Sequence, residues 1–314
     1  MLPTKTIDVS VVIPSVGRPE LRKAVESVIA QDYSGGVEVL VVFDRDEAKT
    51  TKEMLEAAEG AHRVLFTGGG KRGGFARNLG VRSAQGKWIA FLDDDDTWFP
   101  EKLRIQLAAA SRFTAQGALV IGSRAVQSVT GTTSTAKITG VPAVLIHPDQ
   151  DIASYLFRRR RAGSTRASFF ASTVMAPKEL CTRVPWDEKL TRHQDWDWLL
   201  KLGREADTQF IQAKEELVDI YVGTAGSISA GSDWVTSLEW AKSALGSYGA
   251  QTEADFLAGQ TLRYALQKHD LKGVLAIIRR LIGLRRFPSV SPLALGISGV
   301  LPRTWIQRLM RFIK

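Results

Sequence analysis

Four consecutive carboxylates, Asp93-Asp94-Asp95-Asp96, follow directly on the apolar run Trp88 to Leu92 and lead into Thr97-Trp98-Phe99-Pro100. The apolar run has the length of a buried strand. Asp is a common turn residue, so one reading of the stretch is a polar turn. Four adjacent negative charges repel one another, however, and a strand end that gathers them is better explained by a cation they meet. Oxygen-only ligands suit a hard divalent ion, Mg²⁺ or Mn²⁺, which commonly shares its shell with substrate phosphates instead of sitting in a protein cage. The pattern points to a metal-diphosphate site.

Two further constellations carry chemistry. Gly68-Gly69-Gly70-Lys71-Arg72-Gly73-Gly74 precedes Phe75-Ala76-Arg77-Asn78-Leu79-Gly80. A Gly-rich loop that enters a helix presents backbone N–H groups and cations to a diphosphate, or it is a solvated turn. Its spacing fits neither the Walker A pattern nor the dinucleotide fingerprint. Farther on stand Trp186-Asp187-Glu188 and His193-Gln194-Asp195-Trp196-Asp197-Trp198. On a helix Asp195 and Asp197 diverge by about 200°, so only one of them faces a given substrate. Asp195 shares its side with Trp198 and Leu199, where an apolar wall would raise its pKa; the alternative is a helix N-cap.

These residues need a scaffold that brings distant segments to one rim. Val9 to Pro14, Val37 to Phe43, Val64 to Thr67 and Trp88 to Leu92 read as strands, with helical periodicity over Pro19 to Tyr33 and Thr50 to Ala58 between them. Such alternation predicts an α/β fold with a doubly wound, mostly parallel sheet whose ligands sit beyond the carboxyl ends of the strands. Asp44 and Asp93 to Asp96 fall at such ends. Glu101 to Phe113 reads as a basic amphipathic helix. Ser123 to Ile146 reads as antiparallel strands or a long loop, and Ser168 to Met175 and Leu217 to Tyr221 as strands.

Val11-Val12-Ile13-Pro14, the strand ending Val41-Val42-Phe43-Asp44, Phe75-Ala76-Arg77-Asn78 with Gly80, Ala84 and Gly86, and Phe91-Leu92-Asp93-Asp94-Asp95-Asp96 together resemble a family 2 glycosyltransferase of the GT-A fold, over about residues 8 to 101. The resemblance implies an inverting enzyme that moves a sugar from a nucleotide diphosphate sugar, UDP-linked in the first instance, to a hydroxyl of a glycan or lipid-linked acceptor in cell-surface polysaccharide or glycolipid synthesis. It implies that Asp44 contacts the base, that Asp93-Asp94-Asp95 is the D-x-D motif with Asp95 and Asp93 on Mn²⁺ or Mg²⁺, and that Asp195 is the catalytic base. Pro14, Ser15, Lys71, Arg72, Arg77, Asn78, Asp93 and Asp94 are then donor-side residues, and His193, Trp196 and Trp198 acceptor-side candidates. The chain departs from the family in having Arg45-Asp46-Glu47 after Asp44, where Asp-Gly-Ser is usual, and in lacking a His before Gly226-Ser227-Ile228-Ser229. A competing enzyme class remains, because Asp93-x-Asp95-x-Thr97 also satisfies the phosphoaspartyl motif of haloacid-dehalogenase-like phosphatases, with Asp93 as nucleophile. A non-catalytic, membrane-docked nucleotide-binding protein is the third reading.

The chain has 314 residues, enough for one α/β domain over 1–231 and a helical, basic extension over 232–314. Its net charge of +9 is uneven: Thr261 to Lys314 carries eleven bases against the single acid Asp270, and the remainder sums to −1. A body without surplus positive charge argues against nucleic acid, and a cationic tail argues for an anionic partner surface. Leu271 to Arg286 and Arg303 to Lys314 interleave apolar and basic residues, as does an interfacial helix on anionic lipid or a helix packed on another subunit. An anionic membrane met through 271–314 is therefore expected, and an oligomer is compatible with the sequence. Arg158 to Arg166 reads as a cationic loop, either solvated or facing an acceptor phosphate. The single Cys181 allows no intramolecular disulfide, and Met1 to Gly17 has no long apolar stretch. A cytoplasmic protein, peripheral on the cytosolic face of the membrane, is expected.

Overall fold

The structure is a computed structural model and describes residues 6–113, 117–130, 135–158, 167–222 and 231–300. The chain forms two compact units, Met1–Asp149 with Arg166–Ser227, and Gln150–Thr165 with Ile228–Lys314. Segment 150–165 thus groups with the C-terminal residues, which a single cut after 231 does not anticipate.

The first unit opens with β1 (Ile7–Ser15), α1 (Leu21–Ile29), β2 (Gly36–Phe43), α2 (Lys52–Ala57), β3 (Arg63–Phe66), α3 (Arg72–Ser83) and β4 (Trp88–Phe91). It continues through β5 (Thr97–Trp98), α4 (Lys102–Arg112), β6 (Leu119–Thr130) and β7 (Thr135–Val141). After α5 (Ile152–Phe157), a part of the second unit, the first resumes with β8 (Met175–Pro177), α6 (Lys178–Arg183), α7 (Gln194–Leu202) and β9 (Gln209–Val222). All nine strands join one sheet in the order β3-β2-β1-β4-β8-β6-β9-β5, with β7 on β6.

The first four strands run parallel, Val12 pairing with Leu40 on one side and Phe91 on the other. Their β-branched runs are buried on both faces, which is what parallel strands covered by crossover helices require. Leu21, Ala24, Val25 and Val28 of α1 recur at helical spacing and join the core with Val11, Ile13 and Val41. On the opposite side α3 lies so close to β1 that a Cβ at Gly80 would stand 2.3 Å from Val12 Cγ1. The consequence is that the carboxyl ends of β1, β2, β3 and β4 share one rim.

Beyond β4 the sheet turns mixed: β8 pairs antiparallel with β4 and β6, while β6 and β9 run parallel. Segment 123–146 resolves into the antiparallel pair β6 and β7. The strand expected over Ser168 to Met175 is largely absent, replaced by a 3-10 turn at Ala171–Thr173 before β8. Its hydroxyls explain the change, since Thr173 Oγ1 bonds the Phe170 carbonyl and Ser172 Oγ reaches Asp96, local bonds that compete with a ladder. Within α4, Lys102 is wholly buried, its Nζ donating to Gln106 Oε1 at 2.6 Å and lying 4.0 Å from the Trp98 ring centroid. Burial lowers its pKa to about 7. Cys181 is buried, and burial pushes its thiol pKa up.

The second unit is helical, with α8 (Trp234–Ala244), α9 (Ala250–Phe256), a π-helical turn at Leu257–Thr261 running into α10 (Leu262–Gln267), then α11 (Leu271–Leu284) and α12 (Val290–Ile297). Asp233 and Asp270 cap α8 and α11, accepting from the amides of Thr236 and Gly273. Phe157 meets Trp240 and Phe256 edge to face in its core, and those two rings are tilted against each other. Among the described residues no helix is long and apolar enough to cross a membrane. The expected helix over 303–314, the glycine-serine segment 223–229 and residues 159–166 of the cationic loop lie outside the described residues.

Candidate active site

Asp44 follows β2 directly, and the chain wraps around its carboxylate. Thr67 Oγ1 donates to Oδ1 at 2.5 Å, the Lys71 amide donates to Oδ1 at 2.8 Å, and the Arg72 amide to Oδ2 at 2.7 Å. Gly68, Gly69 and Gly70 all have positive φ, and this left-handed run turns the two amides inward. Burial alone would raise the Asp44 pKa, but the hydrogen bonds from Thr67, Arg72 and Lys71 outweigh it and hold the carboxylate below its ordinary value. The glycine loop, expected as a diphosphate cradle, thus spends these amides on Asp44; the Lys71 and Arg72 side chains stand at this end of the rim.

One strand over, the Asp44 amide donates to the Ser15 carbonyl at 2.8 Å, and Ser15 Oγ donates to Asp94 Oδ2 at 2.6 Å. Pro14, the last but one residue of β1, pairs with Val42. The four carboxylates beyond β4 then separate by partner. Asp93 pairs with Arg77 at 2.6 Å, Asp94 with Ser15, and Asp95 with Arg18 at 2.9 Å. Asp96 turns inward, accepting from Ser172 Oγ at 2.6 Å and from the Tyr221 amide at 3.1 Å. Burial raises Asp94 to about 6, with Ser15 and Arg18 opposing and Asp95 and Asp93 adding to the rise. Burial first, then the charge of Asp93, pushes Asp96 well up, against the lowering effect of its bonds from Ser172 and Tyr221.

Arg77, on α3, links this strand end to α7. Its Nη2 holds Asp93 while Nη1 donates to Gln194 Oε1 at 3.3 Å, and its Cζ lies 4.6 Å from the ring centroid of Trp186. The approach depends on Gly74, where a Cβ would stand 2.7 Å from the Asp187 carbonyl oxygen. His193 in left-handed conformation precedes α7 and offers no side-chain cap, so Asp195 in the first turn is not the N-cap. Its carboxylate accepts from the Ala171 backbone and feels Arg77 and Asp93. Burial raises it to about 6, Arg77 pulls it down and Asp93 pushes it up. Asp197 points elsewhere, paired with Lys201 at 2.7 Å.

Two expected site residues have other work. Trp198 lies in the core, not on an acceptor side: it stacks on Trp186 at 4.4 Å, meets Phe91 edge-on, and donates Nε1 to the Val184 carbonyl. The face of α7 that packs on β4 claims it. Asn78, expected at the donor, is buried and its amide is taken up by the Trp186 carbonyl and amide and by Glu188 Oε1, each at 2.9 Å. It fixes the 186–188 turn against α3. Trp196 and His193 are partly exposed and stack on each other at 4.8 Å. Sequence reasoning missed Arg18, Thr67 and the Ala171 amide, and it named Trp186 without giving it a role. The first two lie just past the carboxyl ends of β1 and β3, and that position is the signal that would have found them.

The oxygen donors of Asp93 and Asp95 suit a hard cation, yet both are ion-paired, and among the described residues no three His, Cys, Asp or Glu side chains converge as a metal cage. One or two carboxylates is the number a Mg²⁺ shared with a diphosphate uses, so the residues fit an open site and not a closed one.

The model of the family described as glycosyl transferase family 2 matches residues 10–171. The chain belongs to that family. Membership overturns the phosphatase reading of Asp93. The amylovoran biosynthesis glycosyltransferase AmsB of Erwinia amylovora is 28% identical over 244 residues, covering 75% of this chain and 77% of that protein. The UDP-Glc:alpha-D-GlcNAc-diphosphoundecaprenol beta-1,3-glucosyltransferase WfgD of Escherichia coli is 33% identical over 101 residues, 32% of this chain and 40% of that protein. Among solved structures, S. aureus TarS 1-349 in complex with UDP-GlcNAc superposes with a TM-score of 0.61 at 16% identity, covering 92% of this chain and 84% of that one. That likeness bears out the GT-A-like fold, and the chain is a glycosyltransferase of family 2.

Proposed function

We propose that this glycosyltransferase moves a sugar from a nucleotide diphosphate sugar, a UDP-sugar in the first instance, to a hydroxyl of a glycan or lipid-linked acceptor with inversion at the anomeric carbon. The reading rests on one observation: Asp44, Ser15 and Asp94 are joined by hydrogen bonds along the rim, and Asp93 is joined through Arg77 to the turn that carries Asp195. Carboxylates from three distant parts of the sequence are thereby linked through one set of hydrogen bonds, which supports the reading.

In this arrangement Asp44 accepts an N–H of the base, its own hydrogen bonds keeping it ionised. Asp195 takes the acceptor proton as the oxygen attacks the anomeric carbon and the bond to the diphosphate breaks. Its raised pKa makes it a stronger base than an ordinary carboxylate while leaving it largely ionised at neutral pH. Arg77 keeps that carboxylate oriented and offers positive charge near the leaving group, with Lys71 and Arg72 as further donor-side cations. Asp95, with Asp93, would hold Mn²⁺ or Mg²⁺, and such an ion would supply charge neutralisation to the diphosphate. Trp196 and His193 form the acceptor-side surface.

Relatives named for amylovoran biosynthesis and for a diphosphoundecaprenol-linked acceptor support a place in cell-surface polysaccharide or glycolipid synthesis. We accordingly propose a peripheral position on the cytosolic face of the membrane for this protein. The test is a thermal-shift screen of nucleotide sugars with and without Mn²⁺, followed by NMR of the product anomer. Stabilisation by one UDP-sugar and an inverted product are expected; a retained anomer sinks the mechanism.

A further inference from the structure

Helix α11 presents an apolar stripe to solvent. Leu271, Leu275, Ile278 and Ile282 are between 44% and 76% exposed. At about 100° per residue they fall within some 60° of one another, while Lys272 and Arg279 lie along one flank. The helix contains no acid. Directly after it, Phe287 and Val290 are 94% and 83% exposed. Scattered surface leucines are ordinary, but a straight row of four followed by two nearly bare side chains is a face that water alone covers poorly.

Beside this tip lies a cavity of about 410 Å³, lined among others by Ser154, Arg158, Tyr248, Gln251, Thr252 and Arg286. Gln251 Nε2 donates to the Phe287 carbonyl at 2.9 Å, which ties the cavity wall to the apolar tip. Neither arginine forms a salt bridge with a described carboxylate, and the chain continues from Arg158 into Arg159-Arg160-Arg161. The other basic residue of α11, Arg280, is already paired with Glu253 at 2.6 Å.

Charge decides the occupant. A second copy would bring the same basic face, and the chain's own residues 301–314 carry four bases and no acid, so either would meet like charge. A surface that is apolar beneath and anionic above matches both features. We propose that the second unit docks on an anionic lipid membrane, the stripe of α11 with Phe287 and Val290 entering the interface and the Arg158–Arg286 cavity taking a lipid phosphate. The docking face is independent of the transferase chemistry and gives peripheral attachment a defined surface.

The experiment is co-sedimentation of the full chain with vesicles of phosphatidylcholine alone or mixed with phosphatidylglycerol. Binding only to the mixed vesicles is expected, weakening as salt rises. L275E/I282E should lower the partition coefficient more than about tenfold. R158A/R286A should lower it about twenty- to thirtyfold, two bases each contributing about fivefold. L55E, an exposed apolar position of the first unit, should change nothing. UDP-sugar hydrolysis in solution should survive in all three variants, so a failure of docking is separable from a failure of the chemistry. Equal binding to neutral vesicles, full binding by either double variant, or a dimer in sedimentation equilibrium that L275E/I282E dissolves would overturn the proposal.

Discussion

As the proposed catalytic base, Asp195 should set the acid limb of the pH profile through its pKa of about 6. Burial raises its carboxyl, Arg77 opposes that rise, and Asp93 adds to it, leaving a value of about 6. Only the ionised form accepts a proton, so kcat/KM for the acceptor at saturating donor should fall with unit slope below that pH. About nine-tenths of the carboxyl is ionised at pH 7 and about one-tenth at pH 5, a drop of roughly tenfold. Asp94 also sits at about 6, but it is bonded to Ser15 at the end of β1, and in the proposed arrangement its titration should show in donor binding instead. The sign can be checked through the neighbour: D93N removes a negative charge that raises Asp195, so the acid limb should move to lower pH even if activity declines. D195N should lose about 10²- to 10⁴-fold in turnover, and its residual activity should lack the limb. An unchanged limb in D195N, or a D93N limb displaced upward, would refute the electrostatic account.

Other perturbations probe the remaining parts of the site and core. D95A should abolish Mn²⁺-dependent strengthening of UDP binding in titration calorimetry; unchanged affinity rules out Asp95 as a metal contact. R18A removes the guanidinium 2.9 Å from Asp95, and Mn²⁺ affinity measured without nucleotide should rise, by about tenfold for one competing charge-assisted pair. Unaltered metal binding would mean that Arg18 does not guard the carboxylate. K102M should stabilise the fold by about 1–3 kcal/mol at pH 6, because a buried ammonium without a carboxylate partner is replaced by packing. Lys102 has a folded pKa of about 7 against an ordinary 10.5, so its penalty is full below pH 7 and relaxes as pH rises toward 10.5. Chemical denaturation at pH 6 and pH 9.5 should show the advantage shrinking, and a constant advantage would contradict the shift.

The parallel half of the sheet was readable because each of its strands is a short β-branched run closed by a polar residue, and the rim rule then located Asp44 and the Asp93 run. Side-chain type alone does not say what a group faces. Trp198 and Asp195 are three residues apart on one helix, yet one packs under β4 and the other turns toward Arg77, a choice made by packing against Phe91. Asn78 looked like a ligand contact and is a clamp on Trp186, since nothing local in its sequence reveals a partner over a hundred residues away. The glycine loop was legible as an anion binder; that its anion is Asp44 depends on the exit of β2. Segment 150–165 joins the helical unit through long-range contacts that periodicity does not encode.

Asp44 is gripped by two main-chain amides and a threonine, not by the side chains of residues 71 and 72. The side chain at 71 can therefore change while the Asp44 carboxylate keeps its pose, whereas residue 72, with a φ of 71°, stands in the left-handed region as the glycines before it do. The three preceding glycines have no such freedom. The socket thus survives change at 71, and a library randomised at 71 should yield folded proteins that keep the Asp44 socket where one randomised at 68–70 does not.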